Sequence, residues 1–282
     1  MRQVFIILSC ILVLVSCQQK AKETNLSEQD LLTDTIDAGC DSLEIEQQLT
    51  EEMQQPNNAD ELFDDFLFSY ADNSRFQVSR TIFPLPYYDH DTSTYISRND
   101  WHHNNVFSQD NTYSILFDQE ADMDCVLDTT LTSVQVEFVM LASKTVKKYY
   151  FEKKNRAWML EAINIFTMAD EDFEFLNFYH QFAADSTFQY RHIASHIQLV
   201  TIDPEDEFSI LETTIKDEQW PAFKPVLSAE SQSFINYGQP NTADSNRKIM
   251  KINSIGSGET NVLYFRRKGP QWELYKFEDV SI

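Results

Sequence analysis

Three groups of residues in this 282-residue sequence have types and spacings that suggest chemistry. His192 and His196 stand four apart, which on a helix puts both side chains on one face. A zinc peptidase needs Glu directly after the first histidine, and Ile193 stands there, so the pair reads as a solvated helix end. Asp118, Glu120, Asp122 and Asp124 place a carboxylate at every second position, as a calcium loop does. An EF-hand requires Gly where Met123 lies and Glu where Thr129 lies, so this run reads as a solvated acidic loop. Asp89-His90-Asp91 has the types for a general base with an orienting carboxylate, yet adjacency along the chain does not bring groups to one site. His102 and His103 read as surface residues and His180 as a partly buried structural one. The sequence therefore assigns no catalytic residue, no metal ligand and no cofactor.

Composition narrows the function classes further. The chain carries 22 Lys+Arg against 45 Asp+Glu, a formal charge of −23, which excludes nucleic acid as a partner because its phosphates would be repelled. Only Gly39 precedes Gly238, so phosphate-cradling loops have almost nothing to be built from. The four cysteines, Cys10, Cys17, Cys40 and Cys125, show no CxxC and no Cys/His zinc spacing. Lys147-Lys148, Lys153-Lys154 and Arg266-Arg267-Lys268 flank expected strands and read as edge protection against unwanted strand pairing.

The N-terminus reads as an address. Arg2 precedes a twelve-residue apolar run, Val4 to Val15, long enough for a signal-peptide core and too short to span a membrane. Leu14-Val15-Ser16-Cys17 comes next and resembles the lipobox of bacterial lipoproteins. The resemblance implies a diacylglycerol on Cys17, cleavage before it, and attachment to the outer membrane, since Gln18 rather than Asp stands after it. From Gln18 to Leu62 there is no Phe, Tyr or Trp, and such a segment buries too little apolar area to offset its ordering entropy. As a flexible coil it would span about 35–40 Å.

Beyond it the chain repeats itself. Phe63, Phe66, Ala71, Ser74, Phe76 and Gln77 recur 112 residues later as Phe175, Phe178, Ala183, Ser186, Phe188 and Gln189. Trp101 has a counterpart in Trp220. Tyr150, Phe151, Lys154, Trp158 and Leu160 recur 114 residues later as Tyr264, Phe265, Lys268, Trp272 and Leu274. Each copy opens with apolar residues at helical spacing, then Asn73 or Asp185 as the cap of a second short helix. Alternating strands come after, the last two joined by a tight turn at Asn155 or Gly269, residue types that tolerate positive φ. The repeated aromatics Phe66, Phe76, Trp101, Trp158, Phe178, Phe188, Trp220 and Trp272 read as core.

Helices succeeded by antiparallel strands in about 110 residues resemble the nuclear-transport-factor-2-like fold, in which a bent sheet and its helices form a cone. With the lipobox and acidic tether, the tandem blocks resemble an uncharacterised lipoprotein family of Bacteroides-type bacteria. The expected fold class is α+β: a signal peptide at 1–16, an acidic tether at 17–60, and two tandem cone domains at 61–168 and 169–282, each with its helices on one face of a curved antiparallel sheet. The expected role is a lipid-anchored, non-enzymatic envelope module that binds a small apolar ligand or a partner protein. The alternative is an isomerase- or hydrolase-type enzyme using one cone, which would gather acids or histidines with shifted pKa values in a pocket.

Overall fold

The computed structural model describes residues 60–104, 112–170, 172–255, 258–279 and 281. The signal peptide, Cys17 and nearly all of the tether lie outside the described residues. Helix α1 (Phe63–Asp72) turns Phe63, Phe66, Leu67 and Tyr70 inward at the i, i+3, i+4, i+7 spacing. Asn73 ends it and caps α2 (Ser74–Ser79) by accepting from the backbone N–H groups of Arg75 and Phe76, both at 3.0 Å. In the second half α3 (Glu174–Ala184) and α4 (Ser186–Arg191) repeat the arrangement, with Asp185 accepting from Thr187 and Phe188.

The strands of the first half are β1 (Leu85–Asp89), β2 (Thr92–Ile96), β3 (Thr112–Phe117), β4 (Ser133–Met140), β5 (Thr145–Lys154) and β6 (Ala157–Thr167). Those of the second are β7 (Ile193–Asp203), β8 (Asp206–Lys216), β9 (Ser231–Asn236), β10 (Arg247–Ser254), β11 (Thr260–Lys268) and β12 (Gln271–Asp279), with a short helix α5 (Trp220–Phe223) between β8 and β9. Two hairpins, β1–β2 and β7–β8, come between the helices and the later strands of each half, and Pro204 sits in the turn of the second.

All twelve strands form one curved sheet in the order β2-β1-β6-β5-β4-β9-β3-β10-β11-β12-β7-β8. Each half thus contributes a run of five strands, and the sixth is exchanged. β9 of the second half pairs with β4 of the first, and β3 of the first pairs with β10 of the second. Three contacts are parallel, β1 with β6, β7 with β12, and β3 with β9, so the sheet is mixed rather than purely antiparallel.

Alternation along the central strands separates two cores. Ile115 and Phe117 of β3 join the helices of the first half, while Leu116 between them joins those of the second. On β11, Val262 and Tyr264 enter the first core, and Leu263 and Phe265 the second. Because successive side chains of a strand point to opposite faces, the two helix pairs lie on opposite faces of the shared sheet. The expectation of one helix-covered face per separate sheet is corrected by this arrangement.

Within each core the same contacts recur. Phe63 meets Trp158 at 5.0 Å and 81°, and Phe175 meets Trp272 at 5.2 Å and 81°. Phe66 meets Phe151 at 5.6 Å, and Phe178 meets Phe265 at 5.7 Å. The Gln77 amide donates to the Tyr70 carbonyl, and Gln189 donates to that of Phe182. Asn155 and Gly269 both have positive φ, 50° and 63°, as their hairpin turns require.

Candidate functional site

Among the described residues, a shallow, open concavity of about 430 Å³ lies over His196, Gln198, Arg266 and Tyr275, and two deeper ones are also large enough for a small molecule. The first, a groove of about 520 Å³, runs past the N-terminal end of α3. Phe166, Phe175 and Phe234 supply apolar surface, and charged side chains sit beside them. Lys148 pairs with Glu137 at 2.7 Å, directly across the β4–β5 ladder. Lys248 is buried and its ammonium is fully engaged, by Asp118 at 2.6 Å, Asn241 at 2.6 Å and the Thr242 carbonyl at 2.9 Å. Glu174 accepts from the Trp272 indole and pairs with Arg267. Lys148, Lys248 and Glu174 are thus already matched within the protein, while the exposed Asp172 also lines the groove.

The second, of about 590 Å³, lies between α3, the segment after α5 and strands β9 to β12. Tyr179 of α3 and Gln232 of β9 line it, both buried. The Tyr179 hydroxyl has no hydrogen-bond partner, and neither has Gln232 Oε1. The Gln232 amide nitrogen donates to Ser114 Oγ at 2.6 Å, which fixes the side chain. Burial pushes the Tyr179 phenol well above the usual tyrosine range, so it is a neutral O–H group.

A third feature is a cluster rather than a cavity. Asp64, in the first turn of α1, accepts hydrogen bonds from Tyr113 at 2.9 Å and from Tyr237. Burial raises the Asp64 carboxyl above its ordinary range, and the two phenolic hydroxyls oppose that rise. Burial and the Asp64 charge raise both phenols in turn. None of the three lines either concavity. Their geometry ties α1 to β3 and to the segment after β9, the two exchanged strands.

The family model for a domain of unknown function, DUF4348, matches residues 41–279. The chain belongs to the DUF4348 family. A nuclear-transport-factor-2-like protein from Bacteroides fragilis NCTC 9343, known from a crystal structure, is 50% identical. The match covers 81% of this chain and 100% of that one, with a TM-score of 0.76. The fold is thus nuclear-transport-factor-2-like. Among curated proteins no match is found.

In this DUF4348 chain Phe66, Phe76, Trp158, Phe178, Trp220 and Trp272 are buried, while Trp101 and Phe188 are partly buried against the cores. Trp101 and Trp220 each come directly after a short 3₁₀ turn that succeeds the second strand of a hairpin. The histidine pair is not on a helix. α4 ends at Arg191, His192 is buried and stacked on Phe188 at 3.9 Å, and His196 stands exposed on β7, where Ile197 and Leu199 impose the alternation of a strand. The acidic run is not a loop: residues Glu120–Leu127 form a 3₁₀ helix, and Asp118 leaves it to hold Lys248. No group of metal-ligating side chains occurs among the described residues. His90 occupies the β1–β2 turn with φ 51°, its ring 2.7 Å from the Asp89 carboxylate, both side chains about half exposed.

The basic clusters do not guard edges. β5 and β11 are interior strands, and the outer strands are β2 and β8. Arg266 pairs with Glu273 directly opposite on β12, and Lys268 reaches the same carboxylate, so these residues stitch neighbouring strands together. Cys125, half-buried in the 3₁₀ helix, has its thiol pushed up to about 11 by burial and by Asp122 and Asp128. Cys40 lies outside the described residues.

Proposed function

We propose that this protein is an envelope lipoprotein, held to the outer membrane by lipid on Cys17, whose folded body binds a small ligand and performs no chemistry on it. Two nuclear-transport-factor-2-like halves, 61–168 and 169–282, form that body as a tandem duplication with one strand exchanged. The observation that carries the binding reading is the 590 Å³ cavity of the second half, whose wall holds buried hydrogen-bonding groups left unsatisfied by the protein itself. Its buried polar groups are a phenol and an amide, types suited to recognition rather than to proton transfer at neutral pH, with the charged Lys224, Glu259 and Asp279 also on its wall.

Attachment is tested by Cys17→Ser. The variant is expected in the supernatant after membranes are pelleted, while the parent sediments with them. Retention of the variant in the membrane pellet would overturn the anchor. A lipid chain reaches the membrane through acyl burial, which an acidic body of this charge does not assist.

A further inference from the structure

We infer that β8 is a docking edge for an extended segment of a partner protein that carries lysine or arginine and adds to the sheet as a further strand. β8 is an outer strand, paired with β7 on one side and with no strand on the other among the described residues. Its regular ladder runs from Ile210 to Lys216, opposite Ile202 to His196. The register shift between Ile202 and Asp203 lies at the hairpin end and leaves this stretch regular. A row of backbone N–H and C=O groups along it therefore faces away from the sheet.

Native sheets blunt such edges with short strands, proline or lysine set along the rim. The opposite edge is short, since β2 spans only Thr92–Ile96. β8 spans Asp206–Lys216, contains no proline, and carries its one basic residue at the last position. It also exposes large apolar side chains: Phe208 is 91% exposed and Ile210 60%, with Leu211 beside them. Ile210 stands directly across the ladder from the half-buried Ile202, so the apolar surface continues onto β7. A long edge of this composition suits strand addition, in which backbone bonds give affinity and alternate side chains give selectivity.

Charge selects the partner. Asp206, Glu212, Asp217 and Glu218 lie on this strand and the 3₁₀ turn after it, against the single Lys216. None of the four acids is in an ion pair among the described residues. A segment with apolar side chains beside Ile210 and a lysine or arginine opposite Glu212 meets both features, by apolar burial and by opposite-charge pairing across the new ladder. A second copy of this chain brings the same acids and a formal charge of −23, and the chain's own stretch from Gln18 to Ala59 is acidic as well. Both are repelled where a basic strand is drawn in. None of these β8 residues lines the 590 Å³ cavity, so strand addition and ligand binding are separate properties.

The test uses the full-length protein in detergent and fluorescein-labelled peptides of about nine residues, read by fluorescence anisotropy. One peptide repeats lysine–valine–threonine–valine, a second has glutamate in place of lysine, and a third is the first with alternate backbone nitrogens methylated. The lysine peptide is expected to bind, and the other two to bind at least about ten-fold more weakly. Ile210→Lys is expected to weaken the lysine peptide about five- to ten-fold, whereas Tyr95→Lys on the other edge leaves it unchanged. Glu212→Lys is expected to weaken the lysine peptide and strengthen the glutamate one, a reversal that unfolding does not produce. No binding of the lysine peptide up to about 1 mM, equal binding of either control peptide, equal loss with Tyr95→Lys, or failure of the reversal overturns the proposal. Sedimentation of the free protein as a dimer that Ile210→Lys dissolves would put a second copy on the edge, and overturns it too.

Discussion

Asp60 and Arg80 form the most deeply buried ion pair among the described residues, and breaking it is the sharpest test of how the first half is held. Arg80 is 0% exposed and Asp60 2%. The guanidinium meets the carboxylate through both terminal nitrogens, at 2.7 and 2.8 Å, and the Trp158 amide donates to the same carboxylate at 3.0 Å. Asp60→Ala leaves a guanidinium in the interior that cannot shed its proton. The expected cost is about 3–5 kcal/mol, the usual penalty for orphaning a buried charge. Arg80→Met should cost less, towards the lower end of that range, because the stranded carboxylate retains the Trp158 N–H. The double variant Asp60→Ala/Arg80→Met should recover most of the loss, since a buried pair contributes little beyond its own desolvation. Urea denaturation monitored by tryptophan fluorescence measures all three. A cost below about 1 kcal/mol for Asp60→Ala, or a double variant no better than the worse single, would refute the reasoning. The result also bears on where the folded body begins, since Asp60 lies at the end of the stretch read as tether.

Two further outcomes rest on the carboxylate cluster and the exchanged strands. The Asp64 carboxyl is raised above its ordinary 3.8, so its folded form favours the proton, and its contribution is full below 3.8 and lost as pH rises through the folded value. Asp64→Asn should therefore gain stability over the parent as pH rises towards neutrality, with the gain shrinking as pH falls to about 4; a urea series across pH shows it, and the opposite trend sinks the argument. Residues 60–168 and 169–282, expressed separately, should each fail to give a cooperative unfolding transition, because each lacks the strand supplied by the other; a cooperative transition in either fragment alone would contradict this.

The helices and turns were legible because local physics sets them. The i, i+3, i+4 aromatics give α1 and α3, Asn73 and Asp185 cap α2 and α4, and Asn155 and Gly269 satisfy the positive φ of two hairpins. The repeated Phe–Trp contacts came from the same pattern. Strand order was not legible. Alternation in β3 or β9 says which side chains share a face, and nothing in it names the neighbouring strand. β8 carries no strand signal for a related reason: it is an outer strand whose Phe208 and Ile210 are largely exposed, so burial does not impose a clean alternation on it. His192 and His196 misled because spacing of four counts only on a helix, and the helix ends just before them, at Arg191.

The polar groups of interest lie at positions where the two halves differ. Residues that the halves share are those both need, and both need packing. Polar function appears where the match fails. Tyr179 replaces Leu67, Glu174 replaces Leu62 and Asp64 faces Leu176, each at the common 112-residue offset. Every one of these polar members lies at a position that its counterpart fills with leucine. Tyr179 lies buried at the cavity wall, Glu174 anchors Trp272 and Arg267, and Asp64 gathers two tyrosines. Strand exchange explains how such divergence is tolerated. With β3 and β9 each serving both cores, the halves are fastened by shared backbone ladders, and individual helix positions are released to differ. Departures from a repeat are therefore the positions at which a duplicated sequence should first be searched for chemistry.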